Sequence, residues 1–384
     1  MIKKSDNIYK YIYSIDASHL EAPICDSIYF PESKNDIFDI LKIAITENKK
    51  ISLRGAGTNL VGNCLPSDNS IIIDFSKLNK INFENNNLIV ESGVVLDDLN
   101  LFLEKYNLFF PVVPGSHSNC LIGGMMATNA VGMRGFKYGK MIDWINSAEI
   151  IYIDENKNII EKNISGDELK YFCGTEGFSG IILKANLKTS IKPKNISLDF
   201  FNFDNVNDLI NKVYEIKKNQ KVSAIEFIDK EVSTFINLEE KFYLLIEYEN
   251  EIGNIKNLEE IKKIWDLRDA CYPTCAANDF ILIEDPQIEN EENLIKLINW
   301  LCENNIPIFG HIGLGIIHPH FKIDQNTLID EMYKFVKELD GKVSGEHGIG
   351  IKKNKFLSQD EKNYFIELKK KFDPLCFFSV NNII

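Results

Sequence analysis

Pro114-Gly115-Ser116-His117-Ser118-Asn119, running on through Ile122-Gly123-Gly124-Met125-Met126-Ala127-Thr128-Asn129-Ala130, reads as an irregular loop rich in Gly, Ser and Asn. Two more Gly-rich pieces lie on either side of it in the chain. Upstream, Arg54-Gly55-Ala56-Gly57-Thr58-Asn59, with Gly62 just behind, sits between a strand and a polar loop. Downstream, Cys173-Gly174-Thr175-Glu176-Gly177-Phe178-Ser179-Gly180-Ile181-Ile182 leads into a strand. Glycines let backbone N–H groups approach a phosphate, and Thr58 and Asn59 add donors. Taken alone, the first turn is also what any strand-to-loop corner looks like. It is not a dinucleotide fingerprint, because it does not open a helix.

Around these pieces the apolar spacing alternates between helix and strand. Ile37, Ile40, Leu41, Ala44 and Ile45 recur at helical spacing over 34–48. Short apolar runs at 51–53, 71–73, 88–90, 148–153 and 181–187 predict strands, and Leu96, Leu99 and Leu103 predict a second helix. After Ile191-Lys192-Pro193-Lys194 the pattern restarts. A helix is expected over 205–218, strands near 222–228 and 242–248, and amphipathic helices near 291–304 and 327–339. The fold class expected is α+β, with an N-terminal domain over 1–195, a smaller antiparallel-sheet domain with flanking helices over 196–305, and a C-terminal segment over 306–384.

Composition narrows the function classes. The 384 residues are 45% hydrophobic and 26% charged, which is ordinary for a globular protein and excludes a disordered or fibrous chain. Lys and Arg number 43 against 56 Asp and Glu, a net charge of -13 with no basic block, which disfavours nucleic acid and anionic membranes as partners. The eight cysteines are scattered, with only Cys271 and Cys275 close, and read as buried or free thiols in a reducing compartment. No run of apolar residues is long enough for a membrane span, and the first residues lack a signal-peptide core. A cytoplasmic protein, with peripheral docking at the inner membrane face left open, is the expectation.

The three Gly-rich pieces, with Lys137-Tyr138-Gly139 between them, together resemble the FAD domain of the vanillyl-alcohol-oxidase and p-cresol-methylhydroxylase type. Its pattern is an R-G-x-G-T turn, an I-G-G-x-x-A-x-N-A-x-G loop, and a G-S/T-E-G-x-x-G-I strand lead-in. The resemblance implies that residues 54–59 and 115–118 hold a diphosphate, that 122–129 flank the flavin ring, and that Gly177 to Ile182 lie near the adenosine part. Some relatives tether FAD through a His in the first turn. This turn has none, so noncovalent FAD is expected, with His117 packing in a polar loop.

The C-terminal half holds the second kind of chemistry. Gly310-His311-Ile312-Gly313-Leu314-Gly315-Ile316-Ile317-His318-Pro319-His320 and Ser344-Gly345-Glu346-His347-Gly348-Ile349-Gly350 contain four of the six histidines. A lone His is usually a satisfied core or surface residue; this concentration is harder to read that way. Two imidazoles and a carboxylate suit Zn or Mn with open positions. A hydroxy acid could chelate there, its hydroxyl acidified by the metal, with a nearby His taking the proton.

These motifs resemble the FAD-linked D-2-hydroxy-acid dehydrogenases, the group of D-lactate dehydrogenase, D-2-hydroxyglutarate dehydrogenase and the large glycolate oxidase subunit. That resemblance implies His311, His318 and Glu346 as metal ligands, His347 as the base, and Arg268, in Trp265-Asp266-Leu267-Arg268, as the group that binds the substrate carboxylate. Ala224-Ile225-Glu226-Phe227 and Phe372-Asp373-Pro374 also match. Three departures bear on function. The family's Asp and Asn in the first motif are Leu314 and Ile316. Tyr272 and Phe280 lie where relatives place polar residues. Ser379-Val380-Asn381-Asn382 replaces the family's N-P-G-K.

The expected reaction is oxidation of a lactate- or glycolate-like D-2-hydroxy acid to the 2-oxo acid. The electron acceptor is left among a quinone, a cytochrome, an electron-transfer flavoprotein and an iron–sulfur subunit. An NADPH-using reductase of the enolpyruvyl type, or a flavin electron-transfer subunit altered at Leu314 and Ile316, are the alternatives. The Glu346-His347 pair speaks against both.

Overall fold

The computed structural model describes residues 1–378, so the Ser379–Asn382 departure lies outside the described residues. Among the described residues four sheets organise the fold. The first is mixed: Ser27–Phe30 and Lys50–Arg54 run parallel to the central Ser70–Asp74, with Ile2–Lys4 antiparallel at the edge. Its central strand Ser70–Asp74 is Ile-rich and fully buried, because Lys34–Glu47 covers one face with Ile37, Ile40, Leu41 and Ala44. Ser33 caps that helix by accepting from Asp36 N–H, and Asn48 ends it in the left-handed region.

The second sheet is antiparallel, ordered Ile81–Glu84, Asn87–Glu91, Ile181–Leu187, Ile145–Ile153 and Ile159–Ser165. Leu88, Val90, Ile150 and Ala185 bury one face against Leu96–Glu104. A pair of two-residue strands, Leu108–Phe109 and Ser190–Ile191, forms the smallest sheet. The third large sheet has six strands, ordered Ser197–Phe203, Phe242–Tyr248, Val222–Ile228, Ile308–Gly310, His318–Phe321 and Leu282–Ile283. Helices Val206–Ile216, Glu291–Glu303 and Asn326–Glu338 pack on it around one apolar cluster. Gly310 and His318 thus stand on strands of the same sheet as Glu226.

The expected elements recur with boundaries shifted by at most three residues, except in the Gly-rich stretch read as an irregular loop from Pro114 to Ala130 and in the residues just after it. There Ile122–Thr128 and Gly135–Tyr138 are helical and Met141–Trp144 is a 3-10 turn. Gly123 and Gly124 are poor helix formers, but burial of Ile122, Met125 and Met126 outweighs a cost of about 1 kcal/mol per glycine. A β-carbon on Gly123 would stand 2.4 Å from Ser92 Cβ, so only glycine lets this helix sit on the second sheet. The 20-residue helix Leu258–Ala277, which carries Arg268, was legible only as its Trp-x-x-Arg piece.

After Gln359–Phe372 the chain returns to the N-terminal half. Leu368 and Phe372 join the core of the second sheet, and Phe378 pairs beside Ile51. Among the described residues no helix is long and apolar enough to cross a membrane.

Candidate active site

One cavity of about 680 Å³ runs between the two halves, a size suited to a large bound cofactor or ligand. Its N-terminal wall is built from Arg54 to Asn59, Pro114 to His117, Gly123, Gly124, Thr128, Gly177, Gly180 and Ile182. Gly115 and Gly124 would each direct a β-carbon into open space, so two stretches of bare backbone face the cavity. Gly57 has φ +72°, and a β-carbon there would meet the Arg54 guanidinium. That guanidinium lies over the Tyr13 ring and donates to the carbonyls of Tyr13 and Ile15, which fixes the turn from behind. Such a cradle of exposed backbone suits a diphosphate.

Not every expected residue joins that wall. Gly62, Ser118, Ile122, Asn129 and Ile181 stand outside it. Asn129 caps its helix and accepts from Ile142 N–H, Ile122 and Ile181 are core, and Gly62 packs beside Leu20. The Asn59 side chain folds its own loop, accepting from Val61 and Asn63 N–H, and reaches the carbonyl of His347. His117 pairs through Nδ1 with Asp97 at 2.8 Å on the cavity rim.

The opposite wall carries Arg268, Asp269, Tyr272, Ile283, Phe309, His311, His318, Glu346 and His347. His311 Nε2 lies 3.4 Å and His318 Nε2 3.2 Å from Glu346 Oε1, with His347 Nε2 at 3.5 Å. Potential ligand atoms of His311, His318 and Glu346 all fall within 4.8 Å of one another, a two-nitrogen, one-oxygen set suited to Zn or Mn. The His318 and His347 rings stack at 5.0 Å and 8°.

The electrostatics follow from burial and neighbours. Burial alone would lower the His311 pKa, but Glu226 and Glu346 override it and lift it to about 10. His318 has no such support from behind, and burial holds it down to about 4. Burial opposes ionisation of Glu346, yet the three imidazoles hold it well below the usual carboxylate range.

A second set of residues orients the first. Glu226, fully buried, takes His311 Nδ1 on one oxygen at 2.7 Å and Arg268 Nε on the other at 2.8 Å. Asp285 gathers the 344–347 loop, and Glu176 accepts from the N–H groups of Ile349 and Gly350. A polar link also joins the halves: Arg134 makes a bidentate pair with Glu247 at 2.6 and 2.8 Å, and Glu247 also accepts from Ser223 and Trp265.

The anchoring roles of Glu176 and Asp285 were not read from the sequence. The available signal was charge in apolar context, since Glu284-Asp285 directly follows Phe280-Ile281-Leu282-Ile283. Leu314 and Ile316 are absent from the cavity wall. Ile316 is fully buried and would clash with any β-carbon on Gly345, so it supports the Glu346 loop from below. His320 is buried, with Nδ1 on the His318 carbonyl, and stands outside the ligand cluster. Tyr272 lines the cavity, whereas Phe280 packs in the core beside Cys271 and Cys275.

Two family descriptions match the chain: the FAD binding domain over residues 25–156, and the C-terminal domain of FAD linked oxidases over 250–379. The chain belongs to the FAD-linked oxidoreductases that join these two domains, and it is an enzyme of that class. It is 27% identical over 430 residues to glycolate oxidase subunit GlcD of Bacillus subtilis, covering 96% of this chain and 91% of that one. It is 27% identical over 408 residues to a D-lactate dehydrogenase of Anaerostipes hadrus, covering 89% and 86%. Mitochondrial D-2-hydroxyglutarate dehydrogenase of Danio rerio is 24% identical over 412 residues, covering 91% and 76%. A solved alkyldihydroxyacetonephosphate synthase shares the fold, with TM-score 0.71 at 15% identity over 98% of this chain and 81% of that one.

Proposed function

We propose that this enzyme oxidises a small D-2-hydroxy acid, lactate- or glycolate-like, to the 2-oxo acid, using noncovalent FAD and a divalent Zn or Mn ion. One observation carries the reading. The Gly-lined wall and the His311, His318 and Glu346 cluster face each other across one cavity. Bound FAD supplies the hydride acceptor, and a bound divalent ion supplies the Lewis acidity that makes the substrate hydroxyl easier to deprotonate.

The chain's own residues do the rest. His311 Nε2, His318 Nε2 and Glu346 Oε1 would hold the ion, and the bare backbone at Gly115 and Gly124 admits the cofactor closely. Arg268 would orient the substrate carboxylate; its Nε and one amino nitrogen already hold Glu226, which stiffens the guanidinium. His347 would take the hydroxyl proton at Nε2. Asp285 Oδ1, 3.6 Å from His347 Nδ1, would stabilise the resulting imidazolium. The electron acceptor is a separate molecule, among those named from the sequence.

Anaerobic mixing with a panel of D- and L-2-hydroxy acids, with and without chelator, tests this. Bleaching of the flavin by a D-acid, lost on chelation and in Glu346→Ala, is the expected result. A flavin that no acid bleaches, in protein that holds FAD but no metal, would overturn it.

A further inference from the structure

A single fully buried carboxylate, Asp285, organises the loop that carries Glu346 and His347. Its Oδ2 accepts from Ser344 Oγ at 2.8 Å and from the backbone N–H groups of Gly345, Glu346 and His347 at 3.1, 2.7 and 2.6 Å. Ser344 Oγ in turn accepts from Gly348 N–H at 3.0 Å. Five consecutive residues of the Ser-Gly-Glu-His-Gly turn therefore hang on one oxygen, directly or through Ser344.

Such a hub is stable only if the carboxylate is charged and compensated, because an unpaired buried anion is costly. Lys353 supplies the compensation. It is fully buried, forms an ion pair with Asp285 Oδ1, and lies 3.5 Å from Glu284. Glu284 is fixed in turn by Tyr333 Oη at 2.7 Å and by Lys352 at 3.3 Å. The charges stand behind the loop, on the side away from the cavity; neither Asp285 nor Lys353 lines it.

We infer that Asp285, neutralised by Lys353, is the positioning residue that presents Glu346 to the ion, and that metal affinity depends on this pair even though neither residue is a ligand. The inference rests on the metal-assisted reading above. The physical reason is the backbone. Glu346 can reach His311 and His318 only while its own N–H and those on either side of it point at Asp285. When that acceptor weakens, Gly345 N–H keeps the Asp285 backbone carbonyl at 2.9 Å, but the N–H groups of Glu346 and His347 lose their partner and the Glu346 carboxylate loses its place. Orienting groups behind metal ligands typically contribute 10–100-fold in affinity.

The test is equilibrium dialysis of FAD-loaded protein against Zn²⁺ and Mn²⁺, with FAD content and the unfolding midpoint measured in parallel. Asp285→Asn removes the charge and leaves Lys353 only its longer pair with Glu284, so it is compared with Asp285→Asn/Lys353→Met, in which no net buried charge is left at this pair, and with Ser344→Ala. The expected result is a metal Kd raised at least tenfold in both Asp285 variants and by a smaller factor in Ser344→Ala, with FAD content unchanged. The double variant should regain unfolding midpoint without regaining metal affinity, which a purely structural role would not produce. A double variant with wild-type metal Kd overturns the inference. Wild-type protein that binds neither ion overturns the metal-assisted reading itself, and the inference with it.

Discussion

His311 Nδ1 lies 2.7 Å from Glu226 Oε1, and Glu226 reaches Arg268 through its other oxygen. One buried carboxylate thus sets the tautomer of a proposed metal ligand and the orientation of a proposed substrate anchor. Glu226→Gln is expected to weaken metal binding about tenfold and to raise KM for the hydroxy acid in the same variant. Dialysis and steady-state kinetics measure the two effects. A change in only one of them would show that the shared carboxylate does not link the two functions.

Glu247 is fully buried and depends on Arg134 across the junction between the halves. Burial raises the cost of its charge, but Arg134 holds its pKa below the ordinary value. Arg134→Ala leaves that charge uncompensated and should cost about 3 kcal/mol in a urea unfolding titration. Arg134→Lys should recover only part, since an ammonium cannot make the two parallel bonds.

Asp285 carries the clearest pH dependence. Burial pushes its pKa up, but His347 and Lys353 more than reverse this and bring it to about 2, below the ordinary 3.8. A depressed carboxylate contributes stability that is fully present above its unfolded pKa and is lost as pH falls through the folded one. The wild-type urea midpoint should therefore drop between pH 4 and 2, with about 2 kcal/mol attributable to this group. Asp285→Asn/Lys353→Met should flatten that part of the profile.

The adjacent glycines of Ile122–Thr128 separate packing from binding. Gly123→Ala drives a methyl into Ser92 and is expected to lower the thermal midpoint. Gly124→Ala meets nothing within 4 Å and improves helix propensity, so the fold should be unharmed. Because Gly124 faces the cavity, this second variant should instead lose FAD on gel filtration.

Cysteine reactivity follows burial. Burial lifts the thiols of Cys64, Cys173, Cys271 and Cys302 to about 12 and that of Cys120 to about 11. Cys376 is the one exposed thiol among the described residues. A disulfide reagent at pH 8 should titrate one thiol rapidly in the folded protein, and Cys376→Ser should abolish that phase. Two or more fast thiols would contradict the packing.

The sequence by itself determined most of the element types and the motifs that supply much of the cavity wall. Ile37, Ile40, Leu41 and Ala44 repeat at helical spacing, and the 222–228 and 242–248 runs are strands with the expected bounds. The Gly-rich pieces and the two His motifs were legible because their chemistry resides in residue types at short spacings. What the tertiary structure decided is everything that depends on partners distant in the chain. The helix at Ile122–Thr128 forms against propensity because its apolar side is buried and Gly123 fits Ser92. Strands 308–310 and 318–321 extend the 197–248 sheet through pairings such as Phe227 with Gly310, which local periodicity cannot encode. Glu226, Glu176 and Asp285 became recognisable as anchors only when their partners, 42 to 174 positions away, were in place. A buried carboxylate is stable only when compensated, and the groups that compensate it are brought to it by the fold.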